Sequence, residues 1–294
     1  MAVYDCTNFL NENDLYEIRL NEHWDFVDKF IVVEAGETHT GVKKQLKFDH
    51  ARFAKYSSKL VYVSFDSFDD EMKKFPEYLD SAATRDRGEN TVTKDWTRGY
   101  YQGNYVMKVL ADINAKDDDI IIFSCLDEIH KKSAMQEAFK IFENKNTSPN
   151  SLRPILYVQM YLYAYKINLL HQHWTTHACS TISEYSNFKK ILPATMRESY
   201  FSLRSFPDVP DGGWHFTFLD NTDGEMVLEK QKSWAHSKDI YPGKKRKFDH
   251  QTKQEAVDRF FEDYKVEIVE ITKDTHPKYI IDNLDKMQNL IFRK

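Results

Sequence analysis

The sequence predicts an α/β domain built on a Rossmann-like mixed sheet flanked by helices. Two observations predict it. The chain opens as strand, helix, strand. Val3 to Phe9 reads as a strand, then Leu15, Ile18, Leu20, Trp24 and Val27 recur at roughly helical spacing. Phe30 to Val33 is an apolar run ending at Glu34. Such alternation packs as a parallel sheet. Later, three aspartates lead into Ile120, Ile121, Ile122 and Phe123, which stop abruptly at Ser124, Cys125, Leu126, Asp127 and Glu128. A short β-branched run of this kind is a buried strand. Ligands bind beyond the carboxyl ends of such strands.

Between these landmarks, Lys47 to Tyr56 reads as helical and Leu60 to Phe65 as a third strand. Residues 66–95 are polar and poorly periodic, so loop with short helices is expected. Trp96 to Ile113 reads as one helix, as does Ser133 to Phe142. Ile155 to Ile167 is rich in tyrosine and β-branched residues, so it is one long strand or two bent ones. Trp174 to Ser180 adds a strand, Phe188 to Tyr200 an irregular helix, and a Gly212-Gly213 pair precedes a short strand through Trp214 and His215. Lys253 to Tyr264 and Tyr279 to Phe292 are amphipathic helices. No repeat or linker appears. One domain over 1–294, with a helical C-terminal flank from about 246, is the simplest organisation.

With 294 residues and a net charge of -5, the chain lacks the basic footprint of a nucleic-acid binder. Lys244 to Lys247 is a local basic cluster of the kind found in solvated loops. The three cysteines, Cys6, Cys125 and Cys179, show no paired spacing, which fits a reducing compartment. No basic-then-apolar leader opens the chain, and no apolar run approaches a membrane span of roughly 20 residues. A cytoplasmic protein is expected.

Taken in order, several stretches resemble glycosyltransferase family 17. They are YDCTNFLNENDLYEIRLNE (4–22), VDKFIVVEAGETHTGVKK (27–44), WTRGYYQGN (96–104), DDDIIIFSCLDEIH (117–130), YLYAYKIN (161–168), GGWHFTFL (212–219), SWAHSKDI (233–240) and HPKYIIDNLDKM (276–287). Each piece alone is weak, but the ordered set is specific. The resemblance implies a GT-A-like fold and an inverting transfer from a nucleotide sugar, usually UDP-GlcNAc, to a glycan hydroxyl. It also implies a divalent cation, Mn²⁺ or Mg²⁺. The family's animal members are Golgi membrane proteins, so a chain without an anchor fits a bacterial or viral member.

The resemblance also nominates residues. The family's Asp-x-Asp falls on Cys125, Leu126 and Asp127, so only the second acid is present. A thiol is a poor ligand for a hard cation, which leaves Asp127, with His215 as a second candidate metal ligand. Candidate nucleotide-sugar contacts are Asn11, Glu34, Thr40, Gly41, Lys44, Arg98, Gln102, Asn104, Trp214 and His236. Within WTRGYYQGN, Gly99 and Gly103 replace a family Glu and Arg, leaving room for a close approach. An inverting transfer needs a general base. Glu128, Asp211 and Glu184 are the candidates, in that order. Plainer roles stand beside these: acids at a strand end also cap helices, and a lone histidine is often a satisfied core residue. Two rival functions remain open, a degenerate module that binds a nucleotide sugar or glycan without turnover, and a metal-dependent nucleotide-sugar hydrolase.

Overall fold

The computed structural model describes residues 1–80, 90–143, 154–199, 203, 208–235 and 252–293. At its centre is β1 (Val3–Phe9), which pairs in parallel with β2 (Lys29–Ala35) on one side and β4 (Ile120–Phe123) on the other. Helix α1 (Asn13–His23) connects β1 to β2. The short α2 (His50–Phe53) precedes β3 (Leu60–Phe65), which extends the parallel half. Helices α3 (Phe68–Lys74), α4 (Asn90–Asn104) and α5 (Val106–Asp112) lead back to β4.

The second half is mixed. It contains β5 (Glu128–His130), α6 (Lys132–Glu143), β6 (Ile155–Ala164) and β7 (Leu169–Glu184). After α7 (Tyr185–Phe188) and α8 (Pro193–Glu198) come β8 (Val209–Thr217) and α9 (Glu225–Ser233). The described chain ends with α10 (Lys253–Tyr264), β9 (Val266–Ile268), α11 (Lys278–Asp282) and a 3₁₀ segment, Leu284–Leu290. Among the described residues nine strands run β3-β2-β1-β4-β7-β6-β8-β5, with β9 on β7.

Alternation along the central strands divides the core. Val3, Phe9, Phe30, Val32, Ile120 and Ile122 pack on the face shared with Leu15 and Ile18 of α1 and Met135 of α6. Cys6, Ile31, Val33, Ile121 and Phe123 pack on the other face, with Tyr101, Val106 and Leu110 of α4 and α5. This is why these strands read as continuous apolar runs: helices cover both faces.

The structure departs from the sequence reading at several elements. The helix expected over 96–113 starts at Asn90 and divides at Tyr105. There Asn104 turns inward, donating to Tyr78 O at 3.1 Å and accepting from Ala194 N at 2.9 Å. The helical stretch expected over 47–56 is confined to residues 50–56. The last amphipathic segment is a short α-helix followed by 3₁₀ turns. The C-terminal flank is not purely helical, because β9 adds a strand to β7. Strand β5 and helix α9 were not expected.

Gly213 fixes how β5 meets β8. A Cβ there would lie 2.1 Å from Ile129 O and 3.0 Å from His130 Cα, both backbone atoms that cannot swing aside. Gly213→Ala is therefore expected to destabilise the chain by about 3 kcal/mol, the upper range for overpacking. Urea unfolding measures this, and an unchanged midpoint would show that β5 is not held as described.

Candidate active site

Strand order reverses around β1, so its carboxyl end and that of β4 border one crevice. Such a switch point is where open α/β sheets bind ligands. A cleft of about 300 Å³ opens there, lined by Asn8 to Leu10 of the first strand's end and by Phe123 to Glu128. Helix α4 contributes Trp96, Gly99, Tyr100, Gln102 and Gly103. Arg197 and Glu198 come from α8, His215 from β8, and Lys230, Ser233, Trp234 and Ala235 from α9 and its end.

The strand-end loop is shaped from beneath by Arg19, whose side chain is fully buried. Its guanidinium donates to Asp5 at 2.9 and 2.5 Å, to Ser124 Oγ at 2.6 Å, and to the carbonyls of Cys125 and Glu128 at 2.7 and 2.9 Å. Burial works against both charges of the Arg19–Asp5 pair. Their attraction outweighs it, holding the Asp5 carboxyl well below its usual range and Arg19 above its own. Asp5 also holds His23 Nδ1 at 2.8 Å, while His23 Nε2 accepts from His130 N at 2.9 Å. An accepting Nε2 places the proton on Nδ1, a neutral tautomer. Burial lowers the affinity of both His23 and His130 for a second proton.

On this base the acidic pair separates into two roles. Glu128 is fully buried, accepting from Cys125 N at 3.0 Å and from Arg197 at 2.7 Å. Asp127 turns into the cleft. Its Oδ2 meets Lys230 Nζ at 2.8 Å, and its Oδ1 lies 3.5 Å from His215 Nε2. The register explains the meeting: Phe216 N donates to Asp127 O at 2.8 Å, and Glu128 pairs with His215 across the β5–β8 ladder. Lys230 also approaches Glu12 Oε1 at 3.4 Å and lies 5.5 Å over the Phe218 ring. Burial opposes the Asp127 and Lys230 charges too, but each holds the other charged: the carboxyl sits well below its usual range and the ammonium above its own.

Of the residues nominated from sequence, Asp127, Glu128, His215, Lys44 and Gln102 border the cleft, as do Gly99 and Gly103. Gln102 donates to Val33 O at 2.9 Å and accepts from His39 Nε2 at 2.8 Å, fixing His39 at the rim. The two glycines admit close neighbours: a Cβ at Gly99 would lie 3.3 Å from His39 Nδ1, and one at Gly103 3.0 Å from Phe123 Cζ.

Other nominated residues lie elsewhere. Glu34 is fully buried and takes Lys44 Nζ at 2.6 Å, Lys47 N, Phe48 N and Tyr62 OH, so it binds its own following loop. Arg98 donates to His39 O at 3.2 Å and packs under Gly41, while Thr40 reaches Lys232 O at 3.2 Å. Asn11 ties the first strand's end to Glu229 at 2.7 Å, and Asn104 makes the inward contacts already described. Trp214 occupies the face opposite His215, its indole donating to Thr275 O at 2.8 Å. Neither Asp211 nor Glu184 reaches the cleft. Asp211 is exposed and paired with Lys131, and Glu184 sits opposite Ile120 at the amino end of β4. His236 lies outside the described residues.

Arg19, Lys230, Arg197 and Glu198 were not anticipated. Lys230 stands three residues before SWAHSKDI, an adjacency that offered a signal. Arg197 and Glu198 carried none.

A divalent cation, which the resemblance implies, would have to be held by the acids and thiol at the strand end. Cys125, Asp127 and Glu128 each bring a ligand atom within 4.8 Å of the others. Cys125 is exposed at the strand end, and a thiol suits a hard cation poorly. Both Glu128 oxygens are engaged. Asp127 Oδ1 is buried without a hydrogen-bond partner among the described residues, but its sister oxygen holds an ammonium. Unit charges 4 Å apart interact by about 4 kcal/mol at an effective dielectric of 20, and a dication doubles that repulsion from Lys230. These residues do not fit a divalent cation as the site's counter-charge.

The chain belongs to glycosyltransferase family 17, whose family model matches residues 1–260. Its mixed sheet with a parallel β3-β2-β1-β4 half is GT-A-like. No curated protein sequence matches it significantly. Among solved structures it is similar to mouse xyloside xylosyltransferase 1 in its apo form, at 10% identity and a TM-score of 0.33, over 68% of this chain and 74% of that one. No helix among the described residues is long and apolar enough to cross a membrane.

Two stability outcomes follow from the buried network. Removing one partner of a buried ion pair costs about 3 to 5 kcal/mol, so Arg19→Met is expected to lose that much in urea unfolding. The pH dependence has a definite sign. Because the Asp5 carboxyl is lowered, its contribution is complete above about pH 4 and is lost as the pH falls further. Because His23 and His130 are lowered, the unfolded chain takes up protons below about pH 6.5 that the folded chain refuses. Stability should therefore fall between pH 7 and pH 5, by up to about 1.4 kcal/mol per pH unit for each histidine. His130→Asn should flatten that slope, and a slope unaltered by it would remove His130 from the account.

Proposed function

We propose that this glycosyltransferase moves a sugar, N-acetylglucosamine first among the candidates, from a UDP-sugar to a glycan hydroxyl with inversion. The observation that carries the reading is the juxtaposition of Asp127, Lys230 and His215 in the cleft at the β1 and β4 carboxyl ends. Opposite charges face a space walled by Trp96, Tyr100 and Trp234. Flat aromatic faces suit a nucleobase or a sugar ring, and fixed charges suit a diphosphate.

In the reaction the acceptor oxygen bonds to the anomeric carbon as the bond from that carbon to the β-phosphate oxygen breaks. The electron pair leaves on the diphosphate, and the acceptor proton passes to a base. Glu128 led the sequence candidates, but its oxygens already serve Arg197 and Cys125 N–H, which lowers its value as a base. Glu198, an exposed carboxylate on the cleft wall, is the better placed base.

A panel of UDP-sugars, with released UDP measured with and without glycan acceptors, tests the reading. Release that rises with an acceptor is expected. Binding without release would favour the non-catalytic module, and release indifferent to every acceptor would favour the hydrolase. Glu198→Gln should lower kcat by about 100-fold or more with donor KM little changed, and should remove the loss of activity on the acidic limb of the pH profile, where the base is protonated. Asp127→Asn should lower kcat by about 100-fold, the scale for one lost electrostatic contact in a preorganised site. Full activity in either variant would remove that residue's role.

A further inference from the structure

We propose that the Lys230 ammonium is the resident counter-charge for the donor diphosphate, and that the chain binds its donor without a divalent cation. The inference rests on the nucleotide-sugar reading above and adds to it how the leaving group is neutralised.

Three observations converge. First, the ammonium lies against Asp127, the acid that the strand end delivers to the cleft, at 2.8 Å. Second, Lys230 is held there by its surroundings. Helix α9 is capped by Gly224, whose φ of 95° and close approach to Val257 (2.8 Å from a built Cβ) favour glycine. Glu12, itself fixed by Leu10 N and Asn11 N at 3.1 Å each, meets the ammonium at 3.4 Å. An ammonium has three donors. Two face these carboxylates, and among the described residues the third meets no other acceptor, which leaves it to a phosphate oxygen. Third, the residue two before Asp127 is Cys125, whose thiol is a poor ligand for a hard cation, so that position offers the cleft no second carboxylate.

Charge counting gives the same answer. Lys230 answers Asp127 and Glu12 while Arg197 answers Glu128, so monocations already stand against the acids around the strand end before a donor arrives. When the bond between the anomeric carbon and the β-phosphate oxygen breaks, one further negative charge develops on the diphosphate beside an ammonium that needs no recruitment. Lys230 stays protonated throughout; the acceptor's proton goes to Glu198. Lys230 is thus assigned a catalytic role, in contact with the leaving group.

Calorimetric titration of the full chain with UDP, with GDP and with uridine, in EDTA and in Mn²⁺, tests the assignment. The expected result is UDP binding of equal affinity, within threefold, in both conditions. Lys230→Met should weaken UDP binding at least tenfold in EDTA while leaving uridine binding unchanged, since uridine has no phosphate. Lys230→Arg should recover most of the loss. Thermal melts verify that each variant is folded, and Mn²⁺ paramagnetic resonance on the wild-type chain should show no stoichiometric site. UDP binding that vanishes in EDTA and returns with Mn²⁺ would overturn the role of Lys230 and leave the donor reading standing. Binding of neither nucleotide in either condition would overturn the donor reading and this inference with it.

Discussion

The buried guanidinium of Arg19 is the point from which the candidate site is built. A charged side chain with no exposure is tolerated only when its donors are satisfied. Here they are satisfied by Asp5 on β1, by Ser124, and by the carbonyls of Cys125 and Glu128. Those carbonyls would otherwise be buried acceptors at an irregular strand end. Arg19 therefore gives the loop after β4 one conformation, in which Glu128 turns inward and Asp127 turns to the cleft. His23 extends the same network to His130 and so to β5, whose partner β8 carries His215. One helix face thus sets both the acid and the imidazole near it.

The two halves of the sheet divide the work. The parallel half supplies the crevice, because strand order reverses at β1. The mixed half supplies side chains from later in the chain, since β8 and α9 fold back over that crevice. Strand alternation sorts neighbours there: His215 faces the cleft, while Trp214 turns away to the C-terminal segment and donates to Thr275 O. The charged residues accordingly meet across long separations in sequence. Asp127 and Lys230 are neighbours only because β5 pairs with β8 and Gly224 starts α9 where it does.

Much of the parallel half was legible in the sequence, because strands buried on both faces leave continuous apolar runs at Phe30 to Val33 and Ile120 to Phe123. Asp127 was legible for the same reason, as the acid just beyond such a run. The rest depended on tertiary position. Strand β5 has three residues, too few to show a period. In α9, two lysines and two glutamates flank three consecutive apolar residues, Met226 to Leu228, and the pattern gives no stripe to follow. Arg19 reads as a polar residue on an amphipathic helix, and nothing beside it signals full burial. Asp211 and Glu184 were candidates for the general base by residue type, but β8 leaves Asp211 exposed and paired with Lys131, and β7 runs Glu184 to the amino end of β4. Glu34 lies in the last two residues of β2, yet its hydrogen bonds go to protein groups, chiefly to the loop that follows.

Cys125 and Lys230 are best understood together. Two carboxylates at a strand end repel each other unless a dication lies between them, so that arrangement binds a metal in order to be stable. A thiol at position 125 adds no further acid, and the acids present are met by single positive charges, Asp127 and Glu12 by Lys230 and Glu128 by Arg197. An ammonium on a helix supplies that charge without depending on ion concentration, and its position is fixed when the chain folds. What it gives up is strength: a monocation polarises a phosphate oxygen less than a dication does. The cleft offsets part of this by its geometry. Lys230 is shielded from water by the Phe218 ring and its neighbours, and Arg197 brings a second cation to the same wall. In a cleft of lower effective dielectric than water, each fixed charge acts more strongly on a developing charge. The loss of one acid from the motif is therefore compatible with catalysis, provided that the positive charge is built into the chain.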